Sequence, residues 1–125
     1  MQEGGQVQNT SQDIERLESE FKECEKLLRA IGDETRQHLI CVMLEGDCAG
    51  DRVIDISERM NLSRPAVSHH MQILKDAGMV KARREGTCIY YYLDPDKEEM
   101  RKLANLLLDI QRVTGNAPER EGEEF

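Results

Sequence analysis

Hydrophobic residues recur at intervals of three and four near the start of the chain: Ile14, Leu17, Phe21, Cys24, Leu28 and Ile31. Charged residues fill the positions between them. That spacing is the seam of an amphipathic helix packed against another helix, and it predicts one helix over residues 11–30, capped by Thr10 or Ser11. Gly32 and Asp33 interrupt the pattern. Asp33 is suited to cap a second helix running to Glu45, whose dense Leu39, Ile40, Val42, Met43 and Leu44 predict burial under other elements. Gly46 is expected to end it in a left-handed conformation. After a loop through Cys48, Ala49 and Gly50, Asp51 is expected to cap a short helix bearing Val53, Ile56 and Met60.

A turn at Asn61-Leu62-Ser63 leads into a helix over residues 63–77, with Ser63 as its cap and Pro65 in its first turn, where a missing N–H costs nothing. Val67, Met71 and Leu74 form its inward stripe, and Gly78 stands where a positive φ is needed. The period then changes. Residues 80–84 and 87–93 read as two strands joined at Glu85-Gly86, a hairpin. Asp94-Pro95 is expected to open a last helix, with Met100, Leu103, Leu107 and Ile110 on one face. The order helix, helix, helix-turn-helix, hairpin, helix predicts a mainly α fold with a small β-hairpin: a winged helix-turn-helix with long N- and C-terminal helices.

Composition trims the two ends. Residues 1–10 are rich in Gln and Gly, and residues 114–125 carry Gly115, Pro118, Gly122 and four glutamates. Both are expected to be disordered tails, the second acidic, because little apolar surface offsets the entropy of ordering them. One domain over residues 11–113 remains. No apolar run approaches a membrane span and no export signal is evident, so a cytoplasmic protein with reduced thiols is expected. Cys24, Cys41, Cys48 and Cys88 lack the close pairing of a zinc or redox motif.

The net charge of −8 is unevenly spread. Residues 1–58 hold 6 Lys/Arg against 14 Asp/Glu, and residues 91–125 hold 5 against 9. Residues 59–90 hold Arg59, Arg64, Lys75, Lys81, Arg83 and Arg84 against only Asp76 and Glu85, a net +4 in the stretch that contains the helix-turn-helix and hairpin. A nucleic-acid surface belongs there, while the acidic remainder disfavours indiscriminate binding.

The segment from Leu62 to Val80, containing Ser63-Arg64-Pro65-Ala66-Val67-Ser68-His69-His70-Met71 and Ala77-Gly78-Met79, resembles the recognition segment of ArsR-family repressors. Ile31-Gly32-Asp33-Glu34-Thr35-Arg36 resembles the opening of the family's second helix, and Arg83-Arg84-Glu85-Gly86 followed by Tyr90-Tyr91-Tyr92-Leu93 resembles its wing. The resemblance spans about residues 27–112. It implies a homodimeric regulator, a repressor that acts at a double-stranded operator with inverted-repeat symmetry. It also implies that the first and last helices form the subunit interface, here Ile14, Leu17, Phe21, Cys24, Leu103, Leu107 and Ile110.

The residues themselves suit that task. Ser63, Arg64, Ala66, Ser68, His69 and Gln72 lie on or beside the outward face of the recognition helix; Arg64 can donate twice to guanine, and Ser68 or Gln72 can meet other base edges or phosphates. His70 is expected to pack or to orient the helix rather than read a base. Arg83 and Arg84, at the wing, suit phosphate or minor-groove contacts, with Lys81 the weaker candidate. Tyr90 and Tyr92 are expected to pack.

No cofactor or metal is expected. Where some family members carry a Cys-Val-Cys metal site, this chain has Arg52, Val53 and Ile54, and residues 96–112 contain no histidine or cysteine for a site on the last helix. Cys41 falls where thiol-sensing members carry a cysteine, but their partner on the last helix is missing; Cys48 is the substitute candidate. His38 and Cys41 share a helical face and make at most part of a metal site, and Cys24 and Cys41 otherwise read as small buried hydrophobes. An enzyme is disfavoured: there is no phosphate loop or nucleophile elbow, and Ser63 and Ser68 near the histidines lie on a helix without an oxyanion site. The rival reading is a winged helix that binds protein instead of DNA.

Overall fold

The computed structural model describes residues 11–115. The expected N-terminal tail, and all of the expected C-terminal tail beyond Gly115, lie outside the described residues. The elements are α1 (Ser11–Glu23), α2 (Glu25–Ile31), α3 (Glu34–Glu45), α4 (Val53–Met60), α5 (Arg64–Asp76), β1 (Val80–Glu85), β2 (Cys88–Leu93) and α6 (Lys97–Thr114). The mainly helical winged helix-turn-helix is present in the predicted order.

Leu27, Leu39, Ile56, Met71, Leu74 and Leu106 are fully buried, so α2 to α6 share one core. Asp33 caps α3 by accepting from the Arg36 amide at 3.0 Å, and Ser63 caps α5 by accepting from the Ala66 amide at 3.2 Å. The strands pair antiparallel, with Ala82 opposite Tyr91 and Glu85 opposite Cys88. Gly78, at φ +83, turns the chain out of α5, a conformation that other residues adopt only under strain. Its carbonyl accepts from the Asp96 amide at 2.7 Å, tying the start of α6 to the end of α5.

Several expectations are corrected. The first helix is broken at Cys24, because the buried positions change phase there: Ile14 and Phe21 are 52% and 46% exposed, whereas Cys24, Leu27 and Ala30 enter the core. Gly46 ends α3 in an extended conformation, not a left-handed one. Asp51 does not cap α4; Arg52 stands at that position. Asp51 instead exchanges both backbone hydrogen bonds with Tyr91 at 2.8 Å, and its carboxylate meets Arg59 at 3.1 Å. A long-range strand bridge wins over the local cap. Asp96, not Asp94, caps the last helix, accepting from the amides of Glu98 and Glu99. The second strand starts at Cys88, because residues 86 and 87 form the hairpin turn. On α3, Leu39, Val42 and Met43 are buried but Leu44 is 70% exposed, so the helix is covered on one side only.

Candidate nucleic-acid interface

The turn between α4 and α5 is built from local chemistry. Asn61 takes the left-handed conformation that its short amide tolerates, φ 57 and ψ 44, and the Leu62 amide closes back on the Ser57 carbonyl at 3.1 Å. Ser63 then starts α5 in a new direction. Val67, Met71 and Leu74 pin the helix to the core, while Arg64, Ser68, His69, Gln72 and the cap Ser63 are exposed and Ala66 is half-buried. The expected face is therefore brought together on one surface. Arg64 has no hydrogen-bond or ion-pair partner among the described residues, so its guanidinium is uncommitted. Gln72 donates to Asp76 one turn on, at 2.9 Å, which holds its amide along the helix.

The hairpin divides its two arginines. Arg83 is half-buried: it donates to the Ala49 carbonyl at 2.6 Å and to Glu85 at 2.8 Å, and lies 5.1 Å from the centre of the Tyr90 ring. It builds the wing. Arg84 is exposed and makes no ion pair among the described residues. Lys81 is occupied by Asp94, donating to its carboxylate at 2.8 Å and its carbonyl at 3.0 Å. Tyr90 and Tyr92 are half-buried, in keeping with packing.

Behind α5 lies a residue to which sequence reasoning gave no role. Arg36, 9% exposed on α3, donates to the carbonyls of Ala30 and Arg29 at 2.9 and 3.0 Å, and reaches Nδ1 of His70 at 3.2 Å. It thus closes the end of α2 and holds the recognition helix with one side chain. Burial above all, then the neighbouring guanidinium, hold the His70 pKa below its ordinary value. The signal was in the Asp33-Glu34-Thr35-Arg36 run, but its partner is 34 residues away.

The residues expected at a subunit interface separate into two groups. Cys24 and Leu103 are buried in the chain's own core, which corrects their assignment to a surface; Leu17 and Ile110 pack against that core half-buried. Ile14, Phe21 and Leu107 are exposed, Leu107 at 56%, and Leu108 and Met100 join them. Within the chain, α1 and α6 are locked by Arg16, which donates to Asp109 at 2.9 and 3.0 Å and to Asp13 at 2.9 Å, while Arg112 also pairs with Asp109.

Cys41 and Cys48 are both exposed, which corrects the reading of Cys41 as a buried hydrophobe; Cys24 is buried and Cys88 half-buried. His38 is exposed beside Cys41, and no group of three or more metal-ligating side chains occurs among the described residues. None of the described helices is long and apolar enough to cross a membrane.

Comparison with known proteins agrees with this architecture. Residues 33–82 match the family described as bacterial regulatory protein, arsR family. The chain is 36% identical over 89 residues to an HTH-type transcriptional regulator of Methanocaldococcus jannaschii, covering 70% of this chain and 97% of that one. It is 38% identical over 68 residues to the transcriptional repressor SdpR of Bacillus subtilis, covering 54% and 72% of the two chains. Among solved structures, an ArsR-like transcriptional regulator from Rhodococcus sp. RHA1 superposes with a TM-score of 0.61 at 25% identity, over 74% of this chain and 80% of that one. On its sequence, its helix-turn-helix and its hairpin, the chain belongs to the ArsR family of transcriptional regulators.

Proposed function

We propose that the chain is a homodimeric repressor that binds a double-stranded operator of inverted-repeat symmetry, reading bases with α5 and gripping the flanking backbone with the wing. The observation that carries this reading is the split of α5 into a buried stripe and an outward face. Val67, Met71 and Leu74 anchor it, leaving Arg64, Ser68, His69 and Gln72 on the face that would enter a groove. Arg64, near the N-terminal end that reaches deepest, suits a guanine edge; Ser63 and Ala66 lie close enough for backbone or methyl contacts. Arg84 is the free wing cation and Arg83 its support. Repression follows the likeness to SdpR, a repressor. Two-fold assembly is supported by the apolar surface left on α1 and α6 at Ile14, Phe21 and Leu107.

The cytoplasm, where a DNA-binding regulator meets its operator, is the place this reading implies; use of none of the family's usual metal sites fits Arg52, Val53 and Ile54, and the absence of histidine and cysteine from α6. Any thiol response would fall to Cys41 and Cys48, the two exposed cysteines. The test is fluorescence anisotropy with a duplex from upstream of the chain's own gene, beside a scrambled duplex, over a salt series. Specific binding that is lost in Arg64→Ala supports the reading. Equal, weak binding to every duplex, including sites selected from a random pool, overturns it in favour of a protein-binding winged helix.

A further inference from the structure

An arginine can only donate hydrogen bonds, so the 3.2 Å contact between Arg36 Nη1 and His70 Nδ1 fixes the direction of that bond. Nδ1 must accept. The ring is then neutral, and its proton sits on Nε2, at the edge facing away from Arg36. Among the described residues Nε2 has no hydrogen-bond partner. It is also not sealed in, because among the described residues the only buried side-chain polar atom without a partner is Glu20 Oε1. The recognition helix therefore carries a pre-oriented, solvent-facing N–H donor.

Where that donor points follows from its place on α5. His70 belongs with Ala66 and Ile73 to a half-buried flank between the outward face and the buried stripe. An α-helix about 10–12 Å across fills a major groove about 12 Å wide. Its face then meets base edges, and its flanks meet the phosphate walls. Beside this flank, Lys26 and Arg29 of α2 line, with Arg36, Ile73 and the carboxylate of Asp76, a cavity of about 300 Å³ that His70 does not itself line; Arg29 is paired there with Glu25 at 2.7 Å. Asp33, which also faces the ring, is engaged by the Arg36 amide at 3.0 Å. His69 is the remaining charged or titratable neighbour, its ring 5.7 Å from that of His70.

We propose that His70 donates its Nε2–H to a phosphate oxygen of the DNA backbone, and that Arg36 is the positioning residue that fixes the tautomer for that contact. The inference rests on the DNA-binding reading above and adds to it a residue, an atom and a class of contact.

The test uses the full chain. Nitrogen-15 NMR of the imidazoles in the free protein should show His70 with a bare Nδ1 and a protonated Nε2. Arg36→Met should mix the two forms and move the His70 titration up toward its ordinary value. Because Arg36 also closes α2, that variant can unfold, so His70→Asn is the second arm. Asn keeps an acceptor at the δ position for Arg36 and lacks the outer donor. His70→Asn should melt with the wild type yet bind specific and scrambled duplexes alike about tenfold more weakly. Its salt slope should be unchanged, since a neutral ring displaces no counterion.

A proton found on Nδ1, wild-type affinity in His70→Asn while Arg64→Ala fails, or a loss confined to the specific duplex each overturns the assignment. If the wild type binds no duplex, the DNA reading falls and this contact falls with it. The NMR arm would then show whether the tautomer serves the fold alone.

Discussion

The guanidinium of Arg83, on the first strand of the wing, donates to the backbone carbonyl of Ala49, in the loop before α4, at 2.6 Å. This contact spans 34 residues and ties the hairpin to the helix-turn-helix body. It makes the adjacent arginines unequal. Arg83→Ala should lower the melting temperature by roughly 2–5 °C and weaken DNA binding through a loosened wing. Arg84→Ala should leave melting unchanged, weaken binding to all duplexes, and reduce the salt slope by about 1. Thermal unfolding and anisotropy across salt, run on both variants, check the division.

Burial of His70, and then the Arg36 guanidinium beside it, make stability depend on pH. His70 titrates below its ordinary value in the folded chain, so the unfolded chain binds the proton more readily. Its contribution is therefore fully present above the unfolded pKa, about 6.5. It is lost as pH falls from there to the depressed folded value. Melting measured from pH 8 down to pH 5 should show that decline, and His70→Asn should remove it.

On α1, Glu20 sits against Asp109 of α6, and burial above all, then its hydrogen bond with Asp109, pushes its carboxyl above the usual range. Asp109 moves oppositely: the Arg16 guanidinium holds it down to about 2. The signs differ accordingly. Glu20 costs stability as pH rises through its folded value, whereas Asp109 contributes above its unfolded value and that contribution fades as pH falls toward about 2. Glu20→Gln should raise the melting temperature at pH 7 by roughly 2–4 °C and leave pH 4 nearly unchanged. A lower melting temperature at pH 7 would mean that the ionised carboxylate is favourable beside Arg16.

Two exposed leucines separate assembly from general surface hydrophobicity. Leu107 is 56% exposed on α6, which packs along α1, the helix that exposes Phe21 and Ile14, while Leu44, on α3, is 70% exposed. Leu107→Glu should shift the chain to monomer in sedimentation equilibrium and cost operator affinity. Leu44→Glu should change neither. Dimers that persist in Leu107→Glu would place the subunit interface on another surface.

What could be read from the sequence was what local chemistry dictates. Ser63, Pro65 and Gly78 bracket α5 by their own backbone preferences, and the spacing of Val67, Met71 and Leu74 gave its buried side. The errors arose where a distant partner overrode a local preference. Asp51 is a good helix cap in isolation but is taken by Tyr91. The seam through Cys24 is continuous in sequence, yet the core takes Leu27 and Ala30 fully and leaves Leu28 and Ile31 half-buried against its edge. On α6 the expected face of Met100, Leu103, Leu107 and Ile110 divides, because Leu103, Leu106 and Val113 turn inward and Leu107 turns out. Arg83 and Arg84 look equivalent in sequence; Ala49, Glu85 and the Tyr90 ring, all of which Arg83 alone meets, separate them.

The bridge between Asp51 and Tyr91 has one more consequence. It fastens the wing to the entrance of α4, Arg83 fastens it again to Ala49, and Arg36 fastens α5 to α2 and α3. The two parts that would touch DNA are thus jaws of a single caliper, each tied to the body by these contacts. In the proposed dimer, the spacing of half-sites then follows the angle at which two such calipers meet along α1 and α6. A signal that changed that angle would release the operator, and helix residues far from the groove would be its handle.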